Sequence, residues 1–404
     1  MGTRTLAVCA VVCLHASAAA GQVRIASLAD VLSRAREQAP EIVSARLALE
    51  EARGRLTGAS LRLQTNPDLE ASIGPRHATD SHFTDFEIGV AQMFEPGARR
   101  SARIDGANAA LAQSTANIDE VTRSVLRLAA SAYYRTVYAN ERIRLLTSAY
   151  DVASSVYAAA DRRFRSGDIA VLDVNIARAS RARVGAAREA TEAERSLATG
   201  ELRRLLRIDG DVIAEGSLPR LDQADLTAAL LSAGQRPELK MLEAGVREAE
   251  AELRLGSSFS KPEYGVGLTY SHEEGDQIVL GGMKVTLPMF SKGQEQRVTG
   301  AARASRLRAD LEAARTRVQV EVRAAFDAYT RRLAALRLLE TEAVPGLDEN
   351  EQLTTRSFEV GQIGLPDLLL IRREILDTRA QYLDALLEAA LARIELDASA
   401  AVLR

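Results

Sequence analysis

Phe164-Arg165-Ser166-Gly167-Asp168-Ile169-Ala170-Val171-Leu172-Asp173 recurs as Phe358-Glu359-Val360-Gly361-Gln362-Ile363-Gly364-Leu365-Pro366-Asp367, with Phe, Gly and Asp at identical spacing. Each copy reads as a reversal between two long helices. Gly167 and Gly361 can take the left-handed conformation that ends a helix, and Pro366 is well placed to start one. Ahead of the first copy, from Ala98 onward, apolar or small residues fall near heptad spacing: Ile104, Ala107, Leu111, Ser114, Ile118, Val121, Val125, Leu128, Ala132. Alternating steps of three and four make a coiled-coil seam. No proline occurs between Pro96 and Pro219. At 1.5 Å per residue the arm from Ala98 to Arg163 would reach about 100 Å, too long for a compact core. The chain then returns as a helix from about Val171 to Arg207.

Working outward, two passes through one pattern account for nearly the whole chain after its first twenty residues. Each begins with a short helix, Leu28 to Ala39 and Leu221 to Gly234. A second helix opens at Pro40 or Pro237 and ends near Gln64 or Ser258. The period then changes. From Asp68 to Met93, and from Glu263 to Met289, heptads give way to alternation, as in Leu69, Ala71, Ile73 against Glu70, Ser72, Gly74. Polar stretches, Arg76 to His82 and Ser271 to Gln277, divide each region into a hairpin of strands about ten residues long, the length of a tilted bilayer-crossing strand. The second long arm runs from Gln294 to about Ser357, with Leu311, Ala314, Val318, Val322, Ala325 and Tyr329 on one side and an interruption at Pro345-Gly346. The expected divisions are a signal peptide at 1–20, a first repeat at 21–220 (β-hairpin 68–93, helical hairpin 98–207) and a second at 221–404 (β-hairpin 263–289, helical hairpin 294–403).

Composition fits this plan. The 404 residues include no Trp and only 4% aromatics, which suits long helices packed on small residues. A formal charge of −3 argues against a dedicated nucleic-acid binder. At the N-terminus Arg4, an apolar run from Leu6 to Leu14 and Ala18-Ala19-Ala20 make a secretory signal peptide. Both cysteines, Cys9 and Cys13, lie inside it, and each follows a valine where lipid attachment expects a small residue. The expected mature chain has no thiol chemistry and no apolar run long enough for a membrane helix. If it crosses a membrane, it does so as strands.

Four strands cannot close a barrel, and open edges in lipid leave peptide groups unpaired at a cost of several kcal/mol each. Several chains must therefore pool their strands. Two give eight and three give twelve. The signal peptide, the duplicated helix–hairpin–helix plan, the F-x-x-G-x-x-x-x-x-D turns and a Gln- and Gly-containing barrel exit together resemble the TolC-like outer-membrane efflux proteins. The exit Gln92-Met93-Phe94-Glu95-Pro96-Gly97-Ala98-Arg99-Arg100 is most similar to the heavy-metal and cation branch. The fold this implies is mainly α with a small β part: a long α-helical coiled-coil barrel plus four transmembrane β-strands per chain, completing a trimeric 12-stranded β-barrel. The implied function is a passive exit duct in the outer membrane of a Gram-negative bacterium, extending into the periplasm. Its implied partners are a periplasmic adaptor (membrane fusion) protein, an inner-membrane pump such as an RND transporter, and outer-membrane lipid. Alternatives are the outlet of a type I secretion system, or a periplasmic coiled-coil scaffold or adaptor. A scaffold has no need of paired strands, and an adaptor has one hairpin rather than two in tandem.

The resemblance implies that the turns at Phe164, Gly167, Phe358 and Gly361 dock the adaptor, and that Asp367 and Asp173 line the channel entrance. Both aspartates also sit where a carboxylate favours a helix N-terminus. In a trimer either could form a ring of three like charges favouring cations. In the family pattern a second aspartate follows and an arginine braces the closed mouth; Leu370 and Ile363 stand at those places here. His77, His82 and His272 fall in or beside the expected external loops with Asp80, Asp85, Glu273, Glu274 and Asp276 nearby. Imidazole and carboxylate groups can hold a divalent metal, although solvated loop tips have the same composition. With no thiol and no nucleophile–base signature the sequence carries no active site and calls for no cofactor.

Overall fold

The computed structural model describes residues 23–78 and 81–403. The expected signal peptide and its cysteines lie outside the described residues, as does Asp80. A short strand β1 (Val23–Ile25) leads into α1 (Leu28–Gln38) and α2 (Pro40–Ser60), then β2 (Asp68–Ala78) and β3 (Ser81–Phe94). The first long hairpin is α3 (Gly97–Arg165) and α4 (Val171–Leu206). After β4 (Val212–Ala214) the pattern repeats as α5 (Leu226–Ala233), α6 (Pro237–Ser258), β5 (Glu263–Glu273), β6 (Asp276–Thr286), α7 (Gln294–Leu338), α8 (Leu347–Glu359) and α9 (Leu365–Ser399). Helix α3 has 69 residues, so its length is about 100 Å. Its counterpart is broken: a π-turn at Leu339–Ala343, then Pro345 and Gly346 (φ 86°), separate α7 from α8. Proline lacks the N–H and clashes with the preceding turn, so the ladder cannot continue.

The expected elements are present, with local differences. Helix α5 starts at Leu226, five residues after the expected start, because the Asp225 carboxylate caps it by accepting from the N–H groups of Thr227 (2.8 Å) and Ala228 (3.4 Å). Helix α2 stops at Ser60, short of Gln64. Strands β1 and β4, three residues each, pair in parallel and were not expected. The seam of α3 keeps the expected Val125 and Ala132 in its middle but departs from the expected one towards the ends. Towards the start of the helix the buried positions are Ala102, Ala109 and Ala116, and towards its far end Leu146, Ala153 and Ala160, each set at seven-residue steps, whereas Ile104 and Leu111 are half-buried. Alanine lets neighbouring helices approach closely, so a seam of alanines lies deeper than the larger residues beside it. In α7, Leu311, Ala314, Val318, Val322 and Tyr329 are buried as expected.

Helix α3 packs on α2, α4, α6 and α9, and α7 packs on α6 and α9, giving a wall of antiparallel helices. Two cores hold it. One joins α1, β1 and β4 to Val125–Val137 of α3 and Leu202–Leu206 of α4; the other joins α5, α7 and the end of α9. No helix among the described residues is long and apolar enough to cross a membrane.

The strands form one antiparallel sheet, in the order β2-β3-β5-β6, with β2 and β6 left as unpaired edges. They are 11, 14, 11 and 11 residues long. The polar stretches expected to separate them belong largely to the strands. Pairing continues through His77↔His82 and Ala78↔Ser81, and through Glu273↔Asp276. Glu274 (φ 52°) and Gly275 (φ 94°) make the second turn, with both φ values positive as a two-residue hairpin of primed type requires.

Candidate functional site

The register divides the sheet into two unlike faces. Side chains alternate along a strand, so Leu69, Ile73, Phe86, Ile88, Val90, Tyr264, Val266, Leu268, Tyr270, Val279, Met283 and Val285 share one face. Every charged residue of the four strands lies on the other: Asp68, Glu70, Arg76, Asp85, Glu87, Glu263, Glu273, Asp276 and Lys284. Alternation of an uncharged apolar face with a polar one is what a strand between lipid and an aqueous lumen requires. On the polar face Arg76 reaches Asp85 (2.5 Å), Glu274 (2.8 Å) and Glu273 (3.0 Å), tying the two hairpins at the far end from the helices. At the near end Arg99, buried against the Phe259 ring, pairs with Glu263, and Arg103 pairs with Glu95 (2.5 Å). Burial pushes the Arg99 guanidinium below the usual arginine range, offset in part by Glu95.

The two helical reversals stand at the opposite end. Gly167 has φ 82°; its N–H donates to the Phe164 carbonyl (2.9 Å), and the Asp168 N–H donates to that of Arg163 (2.8 Å). Gly361 has φ 74°; its N–H donates to the Phe358 carbonyl (3.1 Å), and the Gln362 N–H to that of Ser357 (2.8 Å). These are the closing bonds of a glycine-terminated helix. Asp173 lies half-buried in the first turn of α4. Asp367 is exposed in the first turn of α9, where its carboxylate accepts from the Gly364 N–H (3.3 Å). The expected capping role is therefore visible for Asp367, whereas α4 has no side-chain cap bond.

The tips meet each other. Leu365 and Leu369 of α9 pack with Ile169, Val174 and Ala177 of the first reversal and with Val156 and Ala160 of α3. Phe164 (42% exposed), Val171, Leu172, Val360 and Leu370 stay exposed, an apolar surface at the end of the wall. Phe358 is half-buried, lining a cleft of about 530 Å³ with Ala160, Arg163, Ile169, Leu365 and Leu368. Two arginines not singled out from sequence bind α9 to α8. Arg379 pairs with Asp348 (2.6 Å) and Glu351 (2.9 Å), and Arg372 donates to the Thr355 hydroxyl (3.2 Å). Burial pushes Arg372 below the arginine range, with Glu351 opposing. Their signal in the sequence is the seven-residue step from Leu365 to Arg372 to Arg379, one stripe along α9.

The three histidines are strand residues rather than loop residues. His77 and His82 face each other across β2 and β3 with Nδ1 atoms 2.8 Å apart, while His272 packs on the Phe86 ring. Among the described residues no three His, Cys, Asp or Glu side chains converge as a metal site.

A duplicated chain with a wall of long helices at one end and a two-faced, open-edged sheet at the other is a protomer of an outer-membrane channel that extends into the periplasm. The profile of the outer membrane efflux protein family matches residues 31–207 and 231–402, and the chain belongs to that family. The cobalt-zinc-cadmium resistance protein CzcC of Cupriavidus metallidurans is 24% identical over 339 residues, covering 80% of this chain and 78% of that protein. The fold superposes on a membrane protein from Pseudomonas aeruginosa with a TM-score of 0.79 at 17% identity, covering 93% of this chain and 91% of that one. It also superposes on the Campylobacter jejuni CmeC outer membrane channel with a TM-score of 0.78 at 15% identity, covering 92% and 85%. The protein is thus an efflux channel of the Gram-negative outer membrane. Its family is one of channels rather than enzymes, and its members are trimers that work with adaptors and inner-membrane pumps.

Proposed function

We infer that three copies of this chain form a passive exit duct for divalent metal cations. The cations are delivered by an inner-membrane pump of the RND type through a periplasmic adaptor. Each chain contributes two structural repeats, 21–220 and 221–404, and β6 of one copy pairs with β2 of the next to close twelve strands. The observation that carries the cation reading is the charge of the polar face: among the described strand residues, seven carboxylates stand against Arg76 and Lys284, and none on the other face is charged. Threefold repetition around an aqueous lumen gives a strongly negative wall, which concentrates cations. The resistance to cobalt, zinc and cadmium named for CzcC points the same way.

At the other end Gly167 and Gly361 shape the turns that present Phe164 and the neighbouring apolar residues to the adaptor, and Phe358 lines the cleft beside them. Asp367, and to a lesser extent Asp173, line the entrance. The energy comes from the pump. Deleting the gene and challenging cells with cobalt, zinc or cadmium tests this reading. Lost metal resistance restored by the intact gene is the expected result; full metal tolerance together with loss of a secreted protein would favour a secretion outlet.

A further inference from the structure

We propose that His77 and His82 form a two-imidazole site for a divalent transition-metal ion on the membrane-facing side of the barrel's outer rim. The two residues are directly paired across β2 and β3, one step from the Ala78↔Ser81 pair. Their rings stand edge to face at 81°, with Nδ1 of one 2.8 Å from Nδ1 of the other. Without metal, one Nδ1–H donates to the other nitrogen. That separation is also the bite of one ion. Two imidazole nitrogens bound at about 2.0–2.1 Å and at a right angle lie about 2.9 Å apart. An ion can take the place of the shared proton when the donor ring changes tautomer, its proton passing through solvent from Nδ1 to its own Nε2, so that both Nδ1 lone pairs face the metal. Little strand movement is needed, because cross-strand neighbours already hold the rings together.

The surroundings favour this occupant over an alkali or alkaline-earth ion. Both histidines belong to the uncharged face, whereas Asp85, Glu273 and the Arg76 network belong to the other. No carboxylate on the described strands shares their side, so the donor set is nitrogen, which suits Cu²⁺, Ni²⁺ and Zn²⁺ and not Ca²⁺ or Mg²⁺. His272 is not part of it. It is registered with Phe86, four residues along β3 from His82 and so about 14 Å away. Two protein ligands leave the other coordination positions to water, which makes this a capture site open to exchange rather than a closed structural one. Cu²⁺ heads the series of first-row divalent ions for such donors.

The test uses the full mature chain, purified in detergent without a histidine tag and titrated with Cu²⁺ alone. Wild type should take up one ion per chain with an electron paramagnetic resonance signal coupled to two imidazole nitrogens. His77→Ala and His82→Ala should each weaken binding about 100-fold through loss of the chelate, and His272→Ala should leave it unchanged. Since both side chains are exposed, each variant should keep the assembly and strand content of wild type. Equal uptake by the His77→Ala/His82→Ala double variant, coupling to one nitrogen only, or no saturable uptake by wild type overturns the site.

Discussion

Replacing Gly361 with valine probes the turn without disturbing its surroundings. The residue has φ 74°, and a Cβ built there meets no atom within 4 Å. The penalty is therefore torsional, about 1–2 kcal/mol for an L-residue in the left-handed region. A shift of that size changes the proportion of correctly turned tips by a factor of about 5–30. It leaves the wall intact, because the cores that hold α3, α7 and α9 together lie elsewhere. Asparagine visits this conformation more readily, so efflux should fall in the order Gly361→Asn, Gly361→Ala, Gly361→Val. Gly293 is the contrasting position. It also has positive φ (71°), but there a Cβ would run into the Gly256 backbone where α6 meets α7. Gly293→Ala should damage assembly itself. The assay is metal resistance in a deletion strain, with assembly followed on unheated gels and contact with the adaptor followed by cross-linking at Phe164. Wild-type resistance in Gly361→Val and in Gly167→Val would remove the turns from the docking mechanism.

Asp367→Asn should lower cation selectivity in planar bilayers, and Asp173→Asn should lower it less. Three carboxylates about 6–8 Å apart at a mouth of effective dielectric near 20 repel by about 2 kcal/mol per pair, and asparagine can still accept from the Gly364 N–H. Unchanged reversal potentials in both would reduce Asp367 to a cap. On the sheet, Leu268→Arg should cost about 2–4 kcal/mol near the bilayer midplane and block insertion. Its neighbour Thr269→Arg, on the polar face, should insert normally and lower cation selectivity. Equal insertion of the two variants would contradict the assignment of the faces.

Much of this architecture is legible in the sequence, because the two periods are physically distinct. Heptads in 98–163 and from 294 to about 357 read as helix, and alternation in 68–93 and 263–289 as strand. The repeated turn was readable because glycine has a specific backbone task there. Three features were hidden for identifiable reasons. Ala102, Ala109 and Ala116 mark the seam at the start of α3, but alanine occurs on several faces and gives no contrast in a hydrophobicity pattern. Strands β1 and β4 are three residues long, below the length at which alternation can be recognised. The His77–His82 pair depends on cross-strand register. A polar stretch reads as loop, whereas the strand pairing runs through His77↔His82 and places both histidines on one side. The break at Pro345-Gly346 was visible, but the π-turn ahead of it was not, since nothing in Leu339–Ala343 differs from ordinary helix composition.

The most direct test of the central claim is the mass of the detergent-purified protein by light scattering, with detergent subtracted. The unpaired edges of β2 and β6 require closure with other copies, so a complex of three chains is expected, heat-sensitive in its gel migration. A monodisperse, folded single chain would contradict the account, because four strands cannot form the wall of a channel.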